Sequence, residues 1–182
     1  SGLQDVTNPS HLFLAERAEA APGSAVTVIL EGTRPLLVEV QALVSHTSYA
    51  QPRRTAVGFD PNRLAMLAAV LDKHGGFTFN QHDIFVNVTG GLRLSEPAAD
   101  VALAAALLSS LLNRPLPADH VYAGEVGLAG ELRAISHTDL RLREAAKLGF
   151  NVAVMPSSKE IMSPPLAHQR VRRIRDLLEF LG

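Results

Sequence analysis

The sequence predicts one mixed α/β (α+β) domain, and three observations predict it. Two β-rich runs come first, and helical stripes then alternate with short apolar runs. Apolar residues make up 47% and charged residues 19% of 182. That is enough apolar surface to offset chain entropy, so a disordered chain is excluded.

Residues 24–31 (SAVTVILE) and 36–45 (LLVEVQALVS) form the first two strands, separated by Gly32, Thr33, Arg34 and Pro35 as a hairpin turn. A third strand, residues 55–59, ends at Asp60-Pro61. Asp60 caps a helix beginning at Pro61, whose Leu64, Leu67, Ala68 and Leu71 share a face and which Gly75-Gly76 terminates. Residues 84–88 are the next strand. A long apolar helix begins near Pro97. Residues 98–112 (AADVALAAALLSSLL) fall short of the ~20 residues that span a bilayer and carry Asp100, Ser109 and Ser110, so this is a core helix. Residues 121–126 and 132–135 are short strands among Gly124, Gly127 and Gly130. A helix from Thr138 stops at Gly149, and residues 152–155 (VAVM) form a buried strand. From about Arg170, Val171, Ile174, Leu177, Leu178 and Leu181 predict a final amphipathic helix.

Composition removes several chemistries. With 17 Lys plus Arg against 18 Asp plus Glu, the net charge of -1 gives no global pull toward nucleic acid or anionic lipid, so a polyanion site must be a local patch. Cysteine is absent, which excludes thiol nucleophiles and thiolate metal sites and suits a cytoplasmic location. Residues 1–10 lack the basic start and apolar run of a signal peptide. The chain begins without Met, as an excised domain would. No Gly-Lys dipeptide exists, so a P-loop is ruled out. The glycines at 124, 127 and 130 open no helix, which argues against a dinucleotide fingerprint. No two of the seven histidines are spaced i, i+3 or i, i+4, so no local metal site is expected.

Residues 85–156 present, in order, a strand, a Pro-containing turn, an Ala-rich helix, Asn113-Arg114-Pro115, Gly124-Glu125-Val126 with Leu128 and Gly130, and a helix ending in Gly. This succession resembles the proteolytic domain of the Lon proteases. Residues 31–44, residues 52–76 and Asn8-Pro9-Ser10 resemble, more narrowly, the Lon-like C-terminal domain of a bacterial recombination and repair ATPase. The resemblance implies the Lon proteolytic fold, of the ribosomal-protein-S5-domain-2-like kind, over residues 24–182, with 1–23 a linker from an ATPase domain. In the Lon family a serine attacks and a lysine of lowered pKa takes its proton. The matching positions here hold Ala98 and Arg141. Alanine offers no nucleophile and a guanidinium cannot act as a base, so an inactive peptidase fold is expected. Ser95, three residues before that position, is the candidate for a displaced nucleophile, but a serine on the approach to a helix more often caps or solvates a turn, and Lys147 near a helix C-terminus is explained by the macrodipole.

The resemblance further implies a hexameric, ATP-driven ring that acts on double-stranded or branched DNA in branch migration, with ATP, Mg and Zn bound outside these residues, no membrane partner, and recombinase proteins as possible partners. Residues 40–59 contain no acid and include Arg53-Arg54, flanked by Arg34 and Arg63. Arg63 in the first turn of a helix opposes the macrodipole, so an anionic partner is a motive for it. Arg53, Arg54 and Arg63 are therefore expected to form one positive strip that holds DNA phosphates, with Arg34 and Arg93 as further candidates. Arg170, Arg172, Arg173 and Arg175 form a second acid-free set, expected to be the polar face of the final helix. The segments 31–35 and 124–130 are candidate assembly loops. A displaced-nucleophile peptidase and a protein scaffold without DNA contact are the alternatives.

Overall fold

Alternating side chains on the first strands decide the layering of the molecule, a computed structural model that describes residues 21–159 and 166–181. The readings of residues 1–10 and Asn8-Pro9-Ser10, and most of the expected linker, lie outside the described residues. Strands β1 (Ser24–Glu31) and β2 (Arg34–His46) pair antiparallel through a two-residue turn, Gly32-Thr33, with Glu31 opposite Arg34. The turn is shorter than the four-residue separator expected, because Arg34 and Pro35 already belong to β2.

Ala25 and Ile29 point to one side of β1, and Val26 and Val28 to the other. The first side meets helices α1 (Pro61–Gly75) and α2 (Asp100–Leu112), and the second meets α3 (Thr138–Lys147). The result is helices on both faces of a seven-stranded sheet of order β3-β4-β2-β1-β5-β8-β9. The added strands are β3 (Arg54–Val57), β4 (His82–Val88), β5 (His120–Tyr122), β8 (Val152–Met155) and β9 (Ala167–Arg170). Four of the six strand pairings are parallel. A separate hairpin joins β6 (Glu125–Val126) to β7 (Leu132–Arg133).

The start and stop signals of α1 work as the sequence predicts. Asp60 Oδ1 accepts from the Asn62 N–H at 2.9 Å, Pro61 opens the helix, and Gly76 ends it in the left-handed region. Helix α2 is buried from Asp100 to Ser109, as expected of a helix apolar on every side. None of the described helices is long and apolar enough to cross a membrane.

Two expectations fail. The run 121–126 is two strands: β5 sits in the main sheet, and β6 leaves it after Gly124. The final amphipathic helix is not an α-helix. Residues 167–170 instead form β9, which pairs parallel with the otherwise open edge of β8, and a 3-10 turn follows over Ile174–Phe180. Val171, Ile174 and Leu177 are buried as expected. Their spacing of three fits the three-residue turn of a 3-10 helix, whereas Leu178 and Leu181, on the four-residue spacing, stay partly exposed.

Candidate functional site

Gly124 ties the start of α2 to the sheet. Its N–H donates to the Ala98 carbonyl at 2.9 Å, and its own carbonyl accepts from the Val101 N–H at 3.1 Å. With φ at 149°, a Cβ here would lie 2.9 Å from both Pro156 Cδ and Val101 Cγ2, so only glycine permits this approach. The link brings Glu125 beside the turn Pro97–Ala99 that leads into α2. From the first turn of α3, Arg141 enters the same place.

Ala98 and Arg141 line one pocket of about 220 Å³, together with Glu96, Glu125, Ile135 and Ser136. The Arg141 side chain is 3% exposed. Its Nε donates to the Ser136 carbonyl at 2.9 Å, and its Nη1 donates to the Val28 carbonyl at 2.8 Å and to Glu96 Oε1. The guanidinium is thereby fixed in place by a buried backbone carbonyl and an ion pair. Ser95 does not line this pocket. It belongs to another, of about 390 Å³, with Asp60, Arg63 and Arg93. Lys147 is exposed, 3.8 Å from Glu144 on the same helix.

The arginines expected to form a strip have internal partners. Arg63 makes a two-pronged ion pair with Asp100, whose side chain is fully buried. The Val126 N–H donates to the same carboxylate at 3.0 Å. The Asp100 bond raises the pKa of Arg63, and burial pushes the Asp100 carboxyl up against the pull of Arg63 and Val126. Arg63 opposes the macrodipole of α1 because its charge answers Asp100 from α2. No outside anion is needed. Arg54 donates to the carbonyls of His82 at 2.8 Å and Phe79 at 2.9 Å, and burial lowers its pKa. Arg53 alone of the three has an exposed side chain. Its guanidinium donates to Asp83 at 3.1 Å and lies over the rings of Tyr49 and Phe85. The Arg53 N–H reaches Asp83 at 2.7 Å, and this bond, with the guanidinium, holds the Asp83 carboxyl below its ordinary pKa.

One free strip of Arg53, Arg54 and Arg63 therefore does not form. The stretch 40–59 is free of acids along the chain, but the sheet and helices bring Asp83 and Asp100 to it from 30 and 37 residues away. Arg34 and Arg93 are exposed; Arg93 lines the same pocket as Arg63, whereas Arg34 lies far from Arg53. Arg34 opens β2, and Asp83, the partner of Arg53, pairs with Ser45 near its far end, roughly 36 Å along the strand. Sequence reasoning missed the pairing roles of Glu96, Asp83 and Asp100; the C-terminal arginines at 170, 172, 173 and 175 are exposed as expected, though not on an α-helix.

The chain is 57% identical over 156 residues to the DNA repair protein RadA of Brucella abortus, a stretch covering 86% of this chain and 33% of that protein. It is 50% identical over 179 residues to DNA repair protein RadA of Escherichia coli K12, covering 97% of this chain and 39% of the relative. For the RadA of Pseudomonas aeruginosa the identity is 49% over 182 residues, covering 99% and 40%. Residues 53–159, more than half of the chain, also match the family model described as subunit ChlI of Mg-chelatase, and the domain belongs to the family that model describes. The chain belongs to the RadA family. It spans between a third and two fifths of the length of the RadA relatives it matches. The pocket of Ala98 and Arg141 and the C-terminal arginines both lie within the stretch aligned with the P. aeruginosa RadA.

Proposed function

We propose that this chain is a Lon-like, non-proteolytic domain that assembles a RadA-type DNA repair motor and contacts its double-stranded DNA. The observation that carries the reading is the Arg141 guanidinium fixed on Glu96 beside the Ala98 methyl. A peptidase of the Lon kind needs a hydroxyl and a neutral amine at these two places. Arginine stays protonated and alanine has nothing to deprotonate, so the pocket serves structure.

The motor's role is the processing of recombination intermediates by branch migration in the cytoplasm, as a hexameric ring with recombinase proteins as partners. ATP hydrolysis, with the Mg and Zn it involves, belongs to other parts of that motor, and this domain takes no cofactor. Support for a DNA role comes from the name of the RadA relatives and from the exposed arginines. Arg34 and Arg93 keep exposed side chains and Arg53 an exposed one paired with Asp83, whereas Arg54 and Arg63 are committed within the fold.

Fluorescence anisotropy with a labelled duplex of about 30 base pairs tests the reading, with light scattering of the same sample for its mass. Contact with at least three phosphates predicts a salt slope of about -2.7 or steeper, and so at least roughly 40-fold weaker binding between about 50 and 200 mM salt. A chain that binds no duplex at the lower salt refutes the DNA contact, and one that stays monomeric at every concentration refutes the assembly role.

A further inference from the structure

Among the described residues, several exposed arginines that form no ion pair gather at the C-terminal edge of the sheet. Along residues 170–175 burial follows the chain closely: Val171 and Ile174 are each 1% exposed, and Arg170, Arg172, Arg173 and Arg175 all face solvent. The two apolar residues anchor the segment. Its backbone is then clamped on three sides, by the Val171 N–H on the Met155 carbonyl at 3.2 Å, the Leu132 N–H on the Arg172 carbonyl at 2.9 Å and the Ile174 N–H on the Gly130 carbonyl at 2.9 Å. These bonds also place Arg133 of β7 alongside, with its side chain 65% exposed.

The local acids do not neutralise this surface. Asp176 spends one carboxylate oxygen on the backbone N–H groups of Arg172 and Arg173, at 2.8 and 3.1 Å, and both residues stay exposed. Glu131 approaches only Arg133, at 3.8 Å. No ion pair to Arg170, Arg172 or Arg175 occurs among the described residues. As a helix, the segment would have turned its arginines to solvent simply as a polar face. An extended edge stapled at Val171 and Ile174 is different, because it holds several guanidinium groups on one rigid backbone in a molecule of net charge -1.

We infer that Arg170, Arg172, Arg173 and Arg175, with Arg133, form the surface on which this domain holds the phosphate backbone of duplex DNA; the inference rests on the DNA-contact reading proposed above. The extended run 170–173 is about 10 Å long. Over that length a duplex presents about six charges, one per ~1.7 Å of axis, so several guanidinium groups can each find a phosphate oxygen. Arginine suits that task through its fork of donors. An acidic protein partner would call for an apolar anchor amid the charge. Among the described residues, Leu43, Tyr49 and Val57 lie elsewhere, and Leu128 in the turn of the β6–β7 hairpin is the one large exposed apolar side chain near Arg133, a single contact and no apolar patch. No exposed aromatic platform lies in residues 166–181, so the contact reads no sequence.

The test compares two triple variants of this chain by anisotropy on the labelled duplex across salt. Arg170→Gln with Arg172→Gln and Arg175→Gln is expected to weaken binding at least about tenfold at 50 mM salt and to flatten the salt slope by about 2.7, from three phosphates at about 0.9 each. Arg34→Gln with Arg53→Gln and Arg93→Gln is expected to stay within about threefold of the unaltered chain, with a slope change below the ~0.9 of a single phosphate. Circular dichroism checks folding; if the first triple does not fold, its three single variants each carry the test with a slope change near 0.9. Unchanged binding by the first triple overturns this surface, whatever the second triple does, and leaves the DNA reading intact. A chain that shows no salt-sensitive duplex binding at all overturns the DNA reading itself. Competition by poly-glutamate as effective as by unlabelled duplex of equal charge overturns DNA as the occupant.

Discussion

Replacing Arg63 by alanine strands a buried charge. The Asp100 side chain is 0% exposed, and without the guanidinium its only remaining partner among those described is the Val126 N–H at 3.0 Å. Breaking a buried pair by removing one member costs about 3–5 kcal/mol. Arg63 is itself 25% exposed, so water can enter the space it leaves and the loss belongs near about 3 kcal/mol. In a chain of this size that lowers the melting temperature by roughly 6–12 °C. Urea unfolding followed by circular dichroism measures it directly. Adding Asp100→Asn to Arg63→Ala removes the orphaned charge and is expected to recover about half of the loss, because an amide costs less to bury than a carboxylate. The reasoning is refuted if Arg63→Ala unfolds within about 0.5 kcal/mol of the unaltered chain while its salt slope for duplex binding flattens by about 0.9. Arg63 would then serve DNA and not the fold.

Gly124→Ala is expected to destabilise the domain by about 1–3 kcal/mol, read from the urea midpoint, since its φ of 149° and the 2.9 Å approaches to Val101 and Pro156 leave no place for a methyl group. Asp83 has a folded pKa below its unfolded value, so its contribution to stability is present above the unfolded carboxylate pKa of about 3.9 and is lost as pH falls through the folded value. Asp83→Asn should therefore narrow the gap in melting temperature between neutral and strongly acidic buffer, and an unchanged gap would contradict the Arg53–Asp83 bond as its source. Ala98→Ser is expected to leave stability nearly unchanged and to create no casein cleavage, because no base comes with the new hydroxyl; cleavage by that variant alone would show that another residue in the pocket accepts the proton.

The elements legible in the sequence are those whose signals are local. Helix α1 carries its own cap at Asp60, its opening proline and its left-handed stop at Gly76, and α2 declares itself through a run of Ala and Leu. The C-terminal segment is ambiguous in sequence because a spacing of three, Val171 to Ile174 to Leu177, fits a 3-10 turn as well as one side of an α-helix. Strand β9, with sequence AHQR, has no β pattern of its own and exists because β8 offers an open edge. At the site, Ala98 and Arg141 stand out through a family resemblance, and the structure brings them into one pocket. Their setting is not legible: Glu96 reaches Arg141 across 45 positions of sequence, and Asp100 reaches Arg63 across 37. A stretch without acids along the chain says nothing about acids delivered by sheet register or helix packing. Arg53, Arg54 and Arg63 fail as a strip for that reason, and the arginines from 170 to 175 gain importance for the converse one.

We propose that the pocket of Ala98 and Arg141 keeps a peptidase-like architecture without its chemistry. The most direct measurement treats the unaltered chain with a serine-reactive fluorescent phosphonate, maps any label by mass spectrometry, and follows fluorogenic casein in parallel. No labelled serine and no cleavage are expected, because Ala98 has no hydroxyl and the Arg141 guanidinium, paired with Glu96, cannot act as a base. Label on Ser95 or Ser136 accompanied by casein cleavage would contradict the proposal.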